Sequence, residues 1–188
     1  MLRVLFVCSA NTGRSALAGA MSRALVDEHR LPVEISSAGT STAGGELVSP
    51  LVAEVAHAFG ADLSGYLSRA LTVEALRDVD LAVGMTGEHR EHVVGIKPGM
   101  AARAFVLRPL VGGMQAQGAR RADEPVAGYL LRVSAARPAD TAADLADPYG
   151  RPVEVLWAAA RELDSLVREL LGHLFPDAIQ GRLKKAGQ

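Results

Sequence analysis

The only cysteine of the chain lies in a segment whose residue types suit nucleophilic chemistry on a bound anion. Five residues, most of them small, separate Cys8 from Arg14. Consecutive backbone N–H groups of such a loop can turn inward around an anion, and an arginine offers a fork to two oxygens of a tetrahedral oxyanion. The predicted phosphate-binding residues are Ser9, Ala10, Asn11, Thr12, Gly13 and Arg14.

The same surroundings favour the thiolate form of Cys8, because amide dipoles and a guanidinium stabilise negative charge. A thiolate beneath a bound phosphate is aligned to attack phosphorus from the side opposite the leaving oxygen. The hydroxyl of Ser15 can donate a hydrogen bond to this thiolate. Cys8 and Arg14 are therefore predicted as catalytic residues. A cysteine and an arginine separated by five residues also occur by chance. The prediction therefore depends on a strand before the loop and a helix after it.

A proton donor for the leaving group stands late in the chain. A departing alkoxide or phenolate needs protonation, and Asp147, in the segment ADPYG at residues 146–150, is the predicted general acid. The same carboxylate can then act as general base when water hydrolyses a cysteinyl phosphate. Tyr149 offers an aromatic wall for a planar substrate. Taken alone, Asp-Pro is a common turn starter.

The segments around these residues alternate between strand and helix patterns. Short apolar runs predict strands over 2–7, 33–37, 80–85 and 103–107. Apolar spacing and capping signals predict helices over 15–29, 50–59, 72–79, 88–96 and 152–174, with Ser15 placed to cap the first. This alternation predicts an α/β fold in which helices cover both faces of a parallel sheet.

Length and composition limit the number of domains and the classes of partner. The 188 residues suit one domain, predicted over 1–175, with a basic tail over 176–188 and a long loop or insertion over 112–143. The net charge of -1 gives no electrostatic case for nucleic acid or an anionic membrane. A lone cysteine cannot form an internal disulfide, and the apolar run before it is too short for a secretory signal, so we expect a cytoplasmic protein.

The motifs together resemble those of the low-molecular-weight protein tyrosine phosphatase family. Its pattern is Cys-x-Gly-Asn-x-Cys-Arg-Ser near the N-terminus and Asp-Pro-Tyr late in the chain. The segments SAGT at 37–40 and ADLSGYLSRALT at 61–72 are similar to further family segments. The resemblance implies a doubly wound, Rossmann-like sheet of four parallel strands with the phosphate loop after strand 1. The matching residues are Cys8, Asn11, Arg14, Ser15, Asp147, Pro148 and Tyr149.

Departures from the family pattern carry information about the site. Ala10 replaces the loop glycine and would be strained by about 1–2 kcal/mol if its φ were positive. Gly13 replaces a frequent second cysteine, which removes the partner for a protective disulfide after oxidation. Gly150 and Arg151 follow Tyr149 where the family usually has a second aromatic residue, which weakens the case for phosphotyrosine.

The resemblance predicts a cysteine-dependent phosphatase that hydrolyses phosphomonoesters, with protein phosphotyrosine as first choice, through a cysteinyl-phosphate intermediate. At position 12 the loop is also similar to that of bacterial arginine phosphatases. In those enzymes a threonine at this position, here Thr12, accompanies phosphoarginine selectivity. Arsenate reduction with an external small thiol and a catalytically weak phosphate-binding module are two further hypotheses. We expect no metal and no cofactor, and the oligomeric state stays open. The predicted substrate wall consists of Thr12, Thr40 and Tyr149.

One further pair of residues has the spacing of metal ligands. His89 and His92 are one helical turn apart in the segment EHREH at 88–92. No third ligand accompanies them nearby, so we interpret them as part of a solvated helix face.

Overall fold

Within the residues that the structure describes, four strands form one parallel sheet. The computed structural model describes residues 1–135 and 144–179. The strand order is β2-β1-β3-β4, and every neighbouring pair is parallel. The chain therefore leaves β1 toward one edge of the sheet and returns past it to build the other, which is the doubly wound topology that the resemblance implied. The strands are β1 (Leu2–Cys8), β2 (Val33–Gly39), β3 (Leu81–Gly84) and β4 (Ala104–Val106).

Six α-helices flank the sheet within the described residues. Most agree with the sequence predictions to within one or two residues. The helix predicted over 72–79 is wrong: this segment forms hydrogen-bonded turns that bury Leu76 and Val79 without a continuous helical ladder. The helices are α1 (Arg14–His29), α2 (Pro50–Ala58), α3 (Gly87–Ile96), α4 (Leu107–Gln117), α5 (Val126–Ala135) and α6 (Val153–Leu174).

Alternate residues of β1 divide the core into two layers. Val4, Phe6 and Cys8 pack in the larger layer with α1, α2, α4, α5 and α6. Leu5 and Val7 point to the opposite face and pack with residues of α3 and of the 72–79 turns. A strand buried on both faces reads as a continuous apolar run, which is why β1 shows no polar alternation in the sequence.

The segment over 112–143 differs from the expected long loop. Helix α4 continues to Gln117, and α5 occupies Val126–Ala135. The two helices pack together through Tyr129, which is fully buried and whose hydroxyl donates to the Gly118 carbonyl oxygen at 2.9 Å. Burial raises the pKa of Tyr129 to about 12. Residues 136–143 lie outside the described part of the chain, and an insertion relative to the family stays a prediction.

The start of the predicted C-terminal tail is part of the folded structure. Residues 176–179 are helical, and Ala178 and Ile179 pack against the core. Residues 180–188 lie outside the described part of the chain, so the domain boundary at 175 remains a prediction. Within the described residues, no helix has the length and apolar character that crossing a membrane would require.

Replacing Tyr129 by alanine tests whether α5 belongs to the core. We expect Tyr129→Ala to lower the free energy of unfolding by about 3–5 kcal/mol, because a large buried side chain and its hydrogen bond are lost. Chemical denaturation monitored by circular dichroism measures this change. Leu131→Ala is the matched control, since Leu131 lies on the same helix with 60% of its surface exposed. Equal small losses in both variants would contradict the packing of α5.

Candidate active site

The loop of residues 8–14, called the Cys8 loop below, connects β1 directly to α1. Asn11 has a left-handed backbone with φ of 59°, a conformation that asparagine tolerates better than most residues. Ala10 does not have a positive φ. The strain considered for Ala10 is therefore absent, because the left-handed turn of this loop falls one residue later.

The sulfur of Cys8 is buried and has two hydrogen-bond partners. Ser15 Oγ lies 2.9 Å from Cys8 Sγ, and the backbone N–H of Asn11 donates to the sulfur at 3.3 Å. Asn11 Nδ2 also donates to Ser15 Oγ at 2.9 Å. Because Ser15 Oγ accepts that bond, its own proton is available to the sulfur. Ser15 is not the helix cap that the sequence predicted: α1 begins at Arg14 after Gly13, without a side-chain cap.

The end of β2 supports the Cys8 loop from the other side. The Thr40 N–H donates to the Cys8 carbonyl oxygen and the Ser41 N–H to the Ser9 carbonyl oxygen, both at 2.9 Å. A Cβ atom at Gly39 would lie 2.5 Å from the Ser9 carbonyl oxygen, so only glycine permits this approach. Asn11 Oδ1 in turn accepts from the Arg69 N–H at 2.8 Å. The SAGT segment thus braces the loop through its backbone.

Arg14 joins the Cys8 loop to the segment that carries Asp147. Its side chain is 6% exposed, and the guanidinium donates through Nη1 to the Leu145 carbonyl oxygen at 2.8 Å. Nη2 forms an ion pair with Asp147 Oδ2 at 2.6 Å, and the Asp147 side chain is 52% exposed. The Leu145 N–H donates to the Met85 carbonyl oxygen after β3, which fixes this segment beside the sheet. The structure therefore brings Cys8, Arg14 and Asp147 into one site across 139 residues of sequence.

His89 is part of the same network, which the sequence interpretation missed. Instead of facing solvent it is buried, with Nε2 3.0 Å from Ser9 Oγ and Nδ1 2.8 Å from Thr86 Oγ1. A Cβ atom at Gly84 would lie 3.0 Å from His89 Cβ, so this glycine lets α3 begin close to β3. One sequence signal could have indicated that His89 faces the site. Thr86 is a capping residue three positions before His89, and it follows a strand that neighbours β1. His92 is exposed as expected.

Burial lowers the pKa of His89 to about 4, and the positive charge of Arg14 acts in the same direction. His89 is therefore neutral at pH 7 and can bridge Ser9 and Thr86 through one N–H and one acceptor nitrogen. Burial also raises the pKa of Tyr66, whose hydroxyl lies 2.8 Å from Ser37 Oγ close to the Cys8 loop. Among the described residues, no group of three or more His, Cys, Asp or Glu side chains is placed to hold a metal ion.

A cavity of about 690 Å³ opens above the Cys8 loop. Its floor includes Cys8, Thr12 and Arg14, whereas Asn11 and Ser15 are buried beneath that floor. Of the predicted substrate wall, Thr12 and Tyr149 line the cavity, with Tyr149 91% exposed at the rim. Thr40 does not line it: its hydroxyl lies 3.4 Å from Ser41 Oγ, on the exposed side of the loop. The remaining predicted residues that line the cavity are Ser9, Ala10, Gly13 and Asp147.

The lowered pKa of His89 predicts a pH-dependent contribution to stability. Between about pH 6.5 and about pH 4 the unfolded chain binds a proton at His89 and the folded chain does not, so the free energy of unfolding falls as the pH is lowered through this range. We expect His89→Gln, which cannot titrate, to show a shallower fall than the wild type. Urea denaturation at a series of pH values measures the difference. Parallel curves for the two proteins would contradict the buried neutral histidine.

Comparison with known proteins identifies relatives of this chain in sequence and in fold. The sequence profile described as "Low molecular weight phosphotyrosine protein phosphatase" matches residues 3–130. The protein-arginine-phosphatase of Geobacillus stearothermophilus is 30% identical over 169 residues, which cover 89% of this chain and 93% of that protein. The low molecular weight protein-tyrosine-phosphatase Etp of Escherichia coli is 32% identical over 105 residues, which cover 55% of this chain and 68% of Etp.

Solved structures agree with these sequence matches. The low molecular weight protein tyrosine phosphatase from T. tengcongensis superposes with a TM-score of 0.73 at 28% identity, covering 93% of this chain and 100% of that chain. The YwlE arginine phosphatase from Geobacillus stearothermophilus gives a TM-score of 0.68 at 26% identity, covering 100% and 97% of the two chains. The profile match spans more than half of the sequence, and on this basis the chain belongs to the low molecular weight phosphotyrosine protein phosphatase family, whose members are protein phosphatases and therefore hydrolases.

Proposed function

We propose that this chain dephosphorylates proteins with Cys8 as nucleophile and prefers phosphoarginine as substrate. The observation that carries the proposal is the position of the Cys8 sulfur. It lies at the floor of the cavity beside Arg14, with the Ser15 hydroxyl and the Asn11 N–H both directed at it. Two hydrogen-bond donors stabilise a thiolate, which is the reactive form of cysteine. The cavity above the sulfur gives a phosphoryl group access to it.

In the first step, the Cys8 thiolate attacks phosphorus, so that an S–P bond forms while the bond from phosphorus to the leaving nitrogen or oxygen breaks. Asp147 gives its proton to the leaving atom. In this proposal, backbone amides of the Cys8 loop and the guanidinium of Arg14 stabilise the charge on the phosphoryl oxygens. The products of this step are the dephosphorylated side chain and a cysteinyl phosphate.

In the second step, water attacks the cysteinyl phosphate and gives a proton to the Asp147 carboxylate. The S–P bond breaks, inorganic phosphate leaves, and the thiolate is restored. Asp147 is thereby protonated again for the next cycle. No metal or cofactor is needed in either step of this proposal.

The ion pair between Arg14 and Asp147 implies an exchange of partners when substrate binds. Arg14 binds Asp147 as a carboxylate, whereas a general acid must carry a proton. A phosphoryl group offers Arg14 two oxygens in the geometry that its fork prefers. We propose that the phosphoryl group takes Nη2 from Asp147, and that the released carboxylate then binds the proton it will donate. Its exposed position gives water access for that protonation.

Four observations support phosphoarginine over the phosphotyrosine that the sequence first favoured. Thr12 lines the cavity, where its hydroxyl oxygen can accept a hydrogen bond from a guanidinium N–H. Glu46 also lines the cavity, where its carboxylate can accept hydrogen bonds from a guanidinium group. A curated arginine phosphatase matches 89% of this chain, against 55% for the tyrosine phosphatase Etp. Tyr149, the aromatic wall expected for phosphotyrosine, is 91% exposed at the rim.

Arsenate reduction and phosphate binding without efficient catalysis remain predictions. Arsenate reduction with an external thiol would require the same nucleophile, and a catalytically weak phosphate-binding module would share the same loop. We also propose a cytoplasmic location, because a lone thiol persists best in a reducing compartment.

Two synthetic peptides of the same sequence, one with phosphoarginine and one with phosphotyrosine, test the function and its preference. We expect phosphate release from both to need Cys8, so that Cys8→Ser shows none, and kcat/KM to favour the phosphoarginine peptide. Thr12→Val keeps the side-chain volume and removes the hydroxyl, so we expect it to reduce this preference roughly tenfold, as the loss of one hydrogen bond to a charged group would.

Thr72→Val, in the 72–79 turns, is the control for a threonine outside the cavity, and its preference should match the wild type. A wild-type preference for phosphotyrosine would overturn the substrate assignment alone. Absence of hydrolysis, with arsenite produced from arsenate in the presence of a small thiol, would support arsenate reduction. Phosphate binding without either activity would support the binding module.

Replacing Asp147 tests its acid role through the leaving group. We expect Asp147→Asn to lower kcat by about 10²–10⁴ on phenyl phosphate, whose leaving group needs a proton, and by much less on p-nitrophenyl phosphate. Steady-state kinetics on both esters give the two ratios. Asp144→Asn, which alters a carboxylate bound to the Gly87 N–H, should affect both esters equally. Equal losses on the two esters in Asp147→Asn would show that Asp147 is not the acid.

A further inference from the structure

We propose that a groove beside the Cys8 loop binds an aliphatic side chain of the substrate protein, within three residues of the phosphorylated residue. This inference rests on the proposed function and adds a sequence preference to it. The groove, called the aliphatic groove below, is the part of the catalytic cavity formed by the segment before α2 and the first turns of α2 and α6. Its residues are Leu47, Leu51, Val52, Val153 and Leu156.

The aliphatic groove exposes more apolar surface than isolated surface residues would. Leu47 is 70% exposed, Val153 41% and Leu51 37%, while Val52 and Leu156 form a buried base beneath them. Leu47, Leu51 and Val153, together with Tyr149 at the rim, are four of the eight large hydrophobic residues that are exposed in the described part of the chain. Clustered apolar surface of this kind marks an interaction site, because its exposure to water is unfavourable until a partner covers it.

The size of the cavity leaves room for more than the phosphorylated side chain. About 690 Å³ is a volume that holds an entire drug-sized ligand. The phosphoryl group must reach the Cys8 sulfur, so the phosphorylated side chain occupies the end of the cavity at the Cys8 loop. The aliphatic groove forms another part of the same cavity. Three residues of extended chain span about 10 Å, so a neighbouring side chain of the substrate can reach it.

Continuity with the catalytic cavity determines the occupant. A protein that presents its phosphorylated residue to Cys8 lies over the cavity mouth, and the exposed Leu47, Leu51 and Val153 line that same cavity. Glu46 and Arg151 line the same cavity and carry opposite charges, so the lining does not select one sign of charge in the flanking sequence. Burial of apolar area is then the interaction that can distinguish one flanking residue from another. An aliphatic side chain gains this energy and a small polar one does not.

A series of phosphopeptides measures the preference directly. The background contains only glycine and serine around the phosphorylated residue, and one leucine is placed in turn at each position from three before to three after it. Every peptide carries either phosphoarginine or phosphotyrosine, whichever the wild type hydrolyses faster in the two-peptide experiment above. We expect at least one leucine position to raise kcat/KM about tenfold over the background peptide, mainly through a lower KM.

Substitution in the groove links that preference to the structure. We expect Leu47→Ser, and independently Leu51→Ser, to bring the ratio between the best leucine peptide and the background peptide close to one. Both side chains are exposed enough for the fold to tolerate the change. Leu131→Ser, on the exposed side of α5, is the matched control and should keep the wild-type ratio.

The possible outcomes separate this inference from the proposed function. Cys8-dependent hydrolysis with ratios within twofold at every position would overturn the groove and leave the function intact. Absence of Cys8-dependent hydrolysis of any peptide would overturn the function itself. Sedimentation that shows a dimer of the wild type, lost in Leu47→Ser while the peptide ratios stay near one, would assign the groove to a second copy of the chain and overturn the inference.

Discussion

The site depends on one buried polar arrangement beneath the cavity floor. Asn11 adopts a left-handed backbone that directs its N–H at the Cys8 sulfur, and its side chain donates to Ser15, whose hydroxyl faces the same sulfur. Buried polar atoms without partners are costly, so each bond in this arrangement restrains the others. The loop is thereby held in one conformation around the sulfur before any substrate arrives. Such preorganisation is what electrostatic catalysis requires.

The parallel sheet explains why distant residues meet at this loop. The carboxyl ends of adjacent parallel strands lie at the same edge, so the residues that follow β1, β2 and β3 are neighbours there. Thr40 after β2 and His89 after β3 each support the Cys8 loop through a hydrogen bond, and Gly39 and Gly84 allow the close approach. The Asp147 segment is fixed to the same edge through the backbone of Leu145. The fold therefore supplies the frame, and the loops supply the chemistry.

Reaction and recognition occupy different parts of one cavity. The polar part, at the Cys8 loop, contains the groups that we propose act on a phosphoryl group, and these groups suit any phosphorylated side chain that can reach them. In this proposal, discrimination between substrates comes from Thr12 within the loop and, farther out, from Glu46 and the aliphatic groove. A family that shares one reaction can in this way serve different protein substrates, because changes at the rim leave the nucleophile and its supports in place.

The sequence by itself determined the local features: the strand before Cys8, the helix after Arg14, the five-residue spacing between them and the candidate acid Asp147. These are readable because apolar periodicity and small-residue loops express themselves within a few positions. Only the tertiary structure decided that His89 supports Ser9 from 80 residues away, that Arg14 pairs with Asp147, that Ala10 is unstrained and that 112–135 contains packed helix. Periodicity shows which face of an element is apolar, but not which other element will cover it. Contacts between distant segments therefore cannot be predicted from the periodicity of the sequence.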